Sequence, residues 1–104
     1  MAYRIRIDQN ATQYIKSDIP PEVWAELKDA LVNELAQDPQ KHLTKPHVML
    51  AIGGMLFERR VIRASTTYIF RVDVKYAADE ETLLIPRIGV QVVPPPDALG
   101  DPLK

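Results

Sequence analysis

Residues 18–39, DIPPEVWAELKDALVNELAQDP, place the tightest constraint on what this chain can fold into. Trp24, Leu27, Leu31 and Leu35 recur at three- and four-residue steps, the period of a helix with a single apolar stripe. Asp18 is the expected cap, Pro20-Pro21 suits a helix entry where a missing N–H costs nothing, and Pro39 is the expected stop. Such a helix has to bury its stripe against another element. In a chain of 104 residues a second domain would have no core of its own, so the partner must come from the same domain. The absence of cysteine excludes disulfides and thiolate metal sites as substitutes for that core, and suits a reducing compartment.

The remaining segments supply the partner. In YRIRID, Tyr3, Ile5 and Ile7 alternate with Arg4, Arg6 and Asp8, the period of a half-buried strand. A short helix capped by Asn10 is expected through about Lys16, with Tyr14 and Ile15 inward. Gln40–His47 is expected as loop. Val48–Ile52 (VMLAI) and Met55–Arg63 form a predicted hairpin about Gly53-Gly54, a dipeptide that supplies the positive φ of a tight turn. Thr66–Tyr76 alternates Tyr68, Phe70, Val72, Val74 and Tyr76 against Ile69, Arg71, Asp73 and Lys75. After the acidic loop Ala77–Glu81, Thr82–Val92 forms a further strand in which Pro86 implies a bulge or an unpaired edge. The order predicts an α+β domain over residues 1–92. It comprises an N-terminal strand and two helices on one face of an antiparallel sheet of three to four further strands. Residues 93–104, VPPPDALGDPLK, form a Pro-rich tail expected to be flexible.

Composition narrows the function classes. With 46% hydrophobic and 26% charged residues the chain is globular rather than disordered. No apolar run approaches the ~20 residues of a membrane span, and no basic segment leads into an apolar stretch at the N-terminus, so neither membrane insertion nor a leader is expected. A net charge of −1 argues against a strongly basic nucleic-acid binder. Its distribution argues otherwise. Residues 1–40 carry −3, residues 41–75 carry +5 and residues 76–104 carry −3. The positive block holds Lys41, Lys45, Arg59, Arg60, Arg63, Arg71 and Lys75 against Glu58 and Asp73.

Whether those charges converge depends on strand register. If Ala64 pairs with Thr67, Arg60 faces Arg71 and Glu58 faces Asp73. A slip of one residue instead places Arg59 and Arg63 on the face of Arg71 and Lys75. Both leave at least two guanidiniums together on the face away from the helices. Such a cluster suits phosphate, because guanidinium stays charged and binds oxyanions through paired hydrogen bonds. The same charges also fit a simply solvated face, with Glu58 and Asp73 neutralising part of it.

The chain carries no recognised catalytic motif. Gly53-Gly54 lacks the spacing of a phosphate loop. His42 and His47, with Lys41 and Lys45 beside them, are too few and too positively surrounded for a metal, so neither metal nor cofactor is expected. Ser65, Thr66 and Thr67 have no adjacent base and read as turn residues. Trp24 belongs to the helix stripe. Tyr68 fits the core better than a base-stacking position.

The opening MAYRIRIDQNATQYIK, the helix between IPPEV and LAQDP, the segment LFERRVIRASTTYIFRVDV and the closing TLLIPRIGV together resemble the RelE/ParE superfamily of bacterial toxins from type II toxin–antitoxin systems, over about residues 1–92. The resemblance implies a cytoplasmic protein neutralised by an antitoxin that wraps around it. For RelE-type members it implies cleavage of messenger RNA on the ribosome; for ParE-type members it implies gyrase inhibition by a non-catalytic, protein-binding module. Arg60 matches a basic position of RelE-type sites. The Arg expected directly after the Tyr of the next strand is Ile69 here, and Arg71 follows two residues later on the same face. Beyond Gly89 come Val90, Gln91 and Val92, which leaves Arg87 as the basic residue of the last strand. The resemblance thus implies Arg60 and Arg71 as catalytic clamp, with Arg59, Arg63, Lys75, Arg87 and Lys45 binding substrate. Glu58 is the candidate base if Ala64 pairs with Thr67. Should the domain form a homodimer, the VMLAI hairpin is the expected contact edge.

Overall fold

A computed structural model describes residues 2–44 and 54–95. Its elements are β1 (Arg4–Ile7), α1 (Pro21–Ala30), a π-helical turn (Leu31–Leu35), α2 (Pro39–His42), β2 (Met55–Arg63), β3 (Thr66–Tyr76) and β4 (Thr82–Val93). The helices lie on one side of a four-stranded sheet of order β1-β4-β3-β2. The architecture is the expected α+β, with one correction. β2, β3 and β4 are antiparallel, but β1 runs parallel to β4, so the sheet is mixed. The parallel pair arises because the chain leaves β1, crosses the sheet as the helix layer and re-enters at β2 on the far edge. The meander then brings β4 back beside β1.

The helix departs from expectation at both ends. Pro20, not Asp18, is the N-cap, and no side chain caps the helix. Instead the Pro20 carbonyl accepts the N–H groups of Val23 and Trp24 at 3.0 and 3.2 Å. Pro39 does not simply end the helical path; it opens α2 at its N1 position, within the segment expected as loop. Between the two, Ala36 N–H donates to Leu31 C=O at 2.9 Å, the five-residue step of a π-helix. Val23, Leu27, Ala30, Leu31 and Leu35 are buried, and Trp24 is half-buried against Phe70 with ring centroids 5.4 Å apart. Each large buried side chain of this stripe contributes ~1.5–3 kcal/mol relative to exposure.

Residues 9–14 are a chain of turns, not a helix. Asp8 Oδ1 accepts the Asn10 N–H at 2.7 Å, and Ala11, Gln13 and Ile15 each donate three residues back. Ala11 is buried, whereas Tyr14 is 63% exposed, contrary to the inward position expected of it. The preference of Asp and Asn for such local bonds outweighs the weak helix propensity of so short a segment.

Two devices set the sheet register. Ala64 and Ser65 form the two-residue turn between β2 and β3 with φ of 50° and 66°, both left-handed, as a type I′ hairpin requires. This pairs Arg63 with Thr66 and Glu58 with Arg71: the turn stays two residues long but sits one residue earlier than in the pairing of Ala64 with Thr67, so Arg60 faces Ile69 and not Arg71. The second is a bulge at Pro86, one of the two outcomes, bulge or unpaired edge, expected there. Asp73 pairs with Arg87 but Lys75 pairs with Leu84, so β4 carries one extra residue there. Leu83 and Ile85 face the core before it, and Ile88 after it, so the inward phase switches from odd to even positions. In the loop before β4, Asp79 accepts the N–H groups of Glu81 and Thr82 and the Thr82 hydroxyl. The Glu81 N–H leads in holding that carboxyl below its usual range.

No helix among the described residues is long and apolar enough to cross a membrane. The hairpin expected over Val48–Ile52 and the tail from Pro96 onward lie outside the described residues. Neither Ala64 nor Ser65 takes a left-handed φ at low cost. Ala64→Asn combined with Ser65→Gly is therefore expected to stabilise the fold by about 1 kcal/mol or more. Calorimetry should show a Tm rise of ~4–8 °C per kcal/mol; an unchanged or lower Tm would contradict the assigned turn.

Candidate functional site

The sheet has two faces, and the arginines divide between them by strand parity. On β2, Phe57, Arg59, Val61 and Arg63 point to the helices, while Glu58, Arg60 and Ile62 point away. Arg59 Nη1 donates to Glu34 Oε1 at 2.8 Å, and Arg63 Nη2 bonds Glu26. Arg59 Nε is buried with no hydrogen-bond partner among the described residues, which shows how closely the helix layer covers it. Arg59 and Arg63 thus pin α1 and its π-helical continuation to β2. The structure does not bring them to the face of Arg60 and Arg71.

The open face gathers cations from all four strands. Arg60 stands opposite Ile69, and Arg71 opposite Glu58, so the two arginines are diagonal neighbours with Cα atoms ~7–8 Å apart. Arg71 pairs with Gly89, which makes Arg87 its diagonal neighbour on the other side. Lys75 pairs with Leu84, and Leu84 in turn pairs with Arg6 of β1. Arg71 Nε donates to Glu58 Oε2 at 3.5 Å, and Arg4 bonds Glu81 at 3.3 Å. Among the described residues, Arg6, Arg60, Lys75 and Arg87 close no ion pair, although Asp73 lies opposite Arg87 in register. These four charges are free to meet an anion.

Tyr68 is buried in the core and unavailable for stacking. His42 packs edge-on to Phe57, ring centroids 6.4 Å apart. Ser65 is in the hairpin turn, whereas Thr66 and Thr67 begin β3. Lys45 and His47 lie outside the described residues. No group of three or more His, Asp or Glu able to hold a metal occurs among the described residues.

Two residues of this face were not anticipated. Arg6 lies far from the basic block in sequence; its strand alternation marks it as outward, but only the parallel β1–β4 pairing places it beside Lys75. Tyr14 was expected inward; instead the Arg87 guanidinium carbon lies 5.3 Å from the centroid of its exposed ring, a cation–π contact.

No family model matches the sequence, and no curated protein matches it. Among solved structures, the chain is similar to one from the crystal structure of the toxin–antitoxin complex RelBE2 of Mycobacterium tuberculosis. The TM-score is 0.65 at 18% identity, over 86% of this chain and 92% of that one. The fold is RelE-like. At this identity the likeness concerns the path of the backbone, and the RelE-like sheet of this chain carries its own distribution of charge.

The division of arginines has a thermodynamic consequence. Arg59→Met, which removes a half-buried ion pair, is expected to cost ~1 kcal/mol. Arg60→Met, on the open face, should stay within ~0.5 kcal/mol. Urea unfolding of the two variants measures the difference, and equal midpoints would contradict the assigned faces.

Proposed function

We propose that this chain is the toxin-like partner of a toxin–antitoxin pair and that it cleaves messenger RNA on the ribosome through the open sheet face. The observation that carries this reading is the convergence of Arg60, Arg71 and Arg87 as diagonal neighbours, two of them without ion-pair partners among the described residues. The RelE-like fold, seen in a toxin–antitoxin complex, supports an antitoxin as protein partner. A ribosomal substrate places the protein in the cytoplasm.

The chemistry follows from what the face offers. A ribose 2′-hydroxyl attacks the adjacent phosphorus, forming a cyclic phosphate as the bond to the 5′-oxygen breaks. Arg60 and Arg71 clamp the charge that develops on the non-bridging oxygens, a task for permanently cationic donors. In this reading Glu58, exposed beside Arg71, takes the proton of the ribose 2′-hydroxyl that attacks a phosphate held by the arginines. Water or the ribosome returns a proton to the leaving oxygen, and the ribosome supplies the alignment of the message. The net charge of −1 weakens indiscriminate attraction to free RNA and so favours a delivered substrate.

One feature favours a second reading, a non-catalytic ParE-like module that inhibits gyrase. Ile69 stands beside Arg60, Gln91 beside Ile69, and Ile62 is 61% exposed on the same face. That strip offers apolar contact where a nuclease would gain from charge.

Inducible expression in bacteria, comparing the wild type with the Arg60→Ala/Arg71→Ala variant, separates the two. The nuclease reading predicts growth arrest with translation-dependent message cleavage, reduced by at least ~100-fold in the variant. Arrest with intact messages and DNA-damage signalling would instead favour gyrase, and no arrest would contradict both.

A further inference from the structure

The open face carries a concavity away from Arg60. A cleft of ≈ 400 Å³ is lined by Arg6, Asp8, Lys75, Leu84, Ile85 and Pro86. Its construction follows from the two unusual features of the sheet. The parallel pairing of β1 with β4 sets Arg6 against Leu84, and the shifted register sets Lys75 against the other side of the same residue. Two cations, on the strands that flank β4, thus straddle one half-buried leucine, with Cα atoms ~10 Å apart across two strand spacings. Neither closes an ion pair among the described residues. Asp8 contributes one negative charge at the rim, where its Oδ1 accepts the Asn10 N–H. The cleft keeps a positive balance.

We propose that this cleft binds a phosphodiester of single-stranded RNA, with Arg6 and Lys75 on the phosphate and the Leu84–Pro86 floor against the attached nucleoside. The assignment rests on the nuclease reading above and extends the same site. From Arg60 the cations run through Arg71 and Arg87 to Lys75 in diagonal steps, and Arg6 lies beyond Lys75 on the far side of β4. Lys75 lies four residues beyond Arg71 on β3, ~13 Å along the strand. That distance exceeds the reach of one phosphate and suits successive phosphates of an extended strand. A duplex fits poorly, because a single row of cations with an apolar floor offers one backbone and one exposed face to stack. Tyr14, over Arg87 midway along the row, presents an exposed ring to a base.

Fluorescence anisotropy with a labelled RNA octanucleotide and a dinucleotide at low salt tests this. Arg6→Gln and Lys75→Gln should each weaken octanucleotide binding several-fold. Each should also lower the slope of log affinity against log salt by ~0.7. Dinucleotide binding at the Arg60/Arg71 end should be unchanged, as should binding of both oligonucleotides by Lys28→Gln on the helix side. Thermal melts confirm that each variant folds. Octanucleotide binding that is insensitive to both substitutions would overturn the cleft and leave the Arg60/Arg71 reading standing. Oligoglutamate competing as well as RNA would overturn the nucleic-acid assignment. Wild type that binds neither oligonucleotide would contradict the cleft and the RNA reading together.

Discussion

One extra residue in β4, at Ile85-Pro86, organises the open face. A strand alternates strictly, so residues 83, 85 and 87 of a regular β4 would all point to the helices. Arg87 would then lie beneath the helix layer, where an unpaired guanidinium costs several kcal/mol. The bulge absorbs the extra residue, and proline suits it because a bulge leaves a ladder N–H unused. Ile88 fills the core position in place of Arg87, and Arg87 emerges beside Arg71. The same step brings Leu84 between Arg6 and Lys75 and so shapes the cleft.

The charge balance of the molecule becomes intelligible on that scaffold. β2 carries three arginines within five residues, and parity sends them to different tasks. Arg59 and Arg63 neutralise Glu34 and Glu26 of the helix layer, and join helix to sheet where the apolar stripe ends. Arg60 goes to the opposite face with Arg71. The acidic −3 of residues 1–40 therefore partly cancels the positive block through contacts that hold the fold together. What is left on the open face is cationic, which the net charge of −1 conceals.

Pro86 marked a departure from regular pairing without choosing between a bulge and an edge. The leucine stripe and the alternation of β3 up to Val74 were legible as local patterns, with Tyr76 at the strand end 40% exposed. The register between β2 and β3 was not. It depends on Ala64 and Ser65 adopting left-handed φ, for which neither residue type is a signal. Asn10 suggested a helix cap but serves a run of turns, since capping and turn formation use the same side-chain chemistry. Nor could alternation reveal which strand would neighbour β1. The YRIRID segment marks Arg4 and Arg6 as outward, yet only the crossover over the sheet decides that β4 lies beside them. Arg60 and Arg71 were legible as a pair because their strands are consecutive. Arg6 belongs to the same face but required the topology.

The phase change at the bulge can be read directly, because the chain has no cysteine of its own. Thiol labelling of single Arg87→Cys and Ile88→Cys variants in the native state reports which side chain faces solvent. The structure predicts rapid modification of the Arg87→Cys variant and protection of the Ile88→Cys variant until denaturant is added. The reverse pattern would mean that β4 runs without a bulge and that Arg87 is not part of the open face.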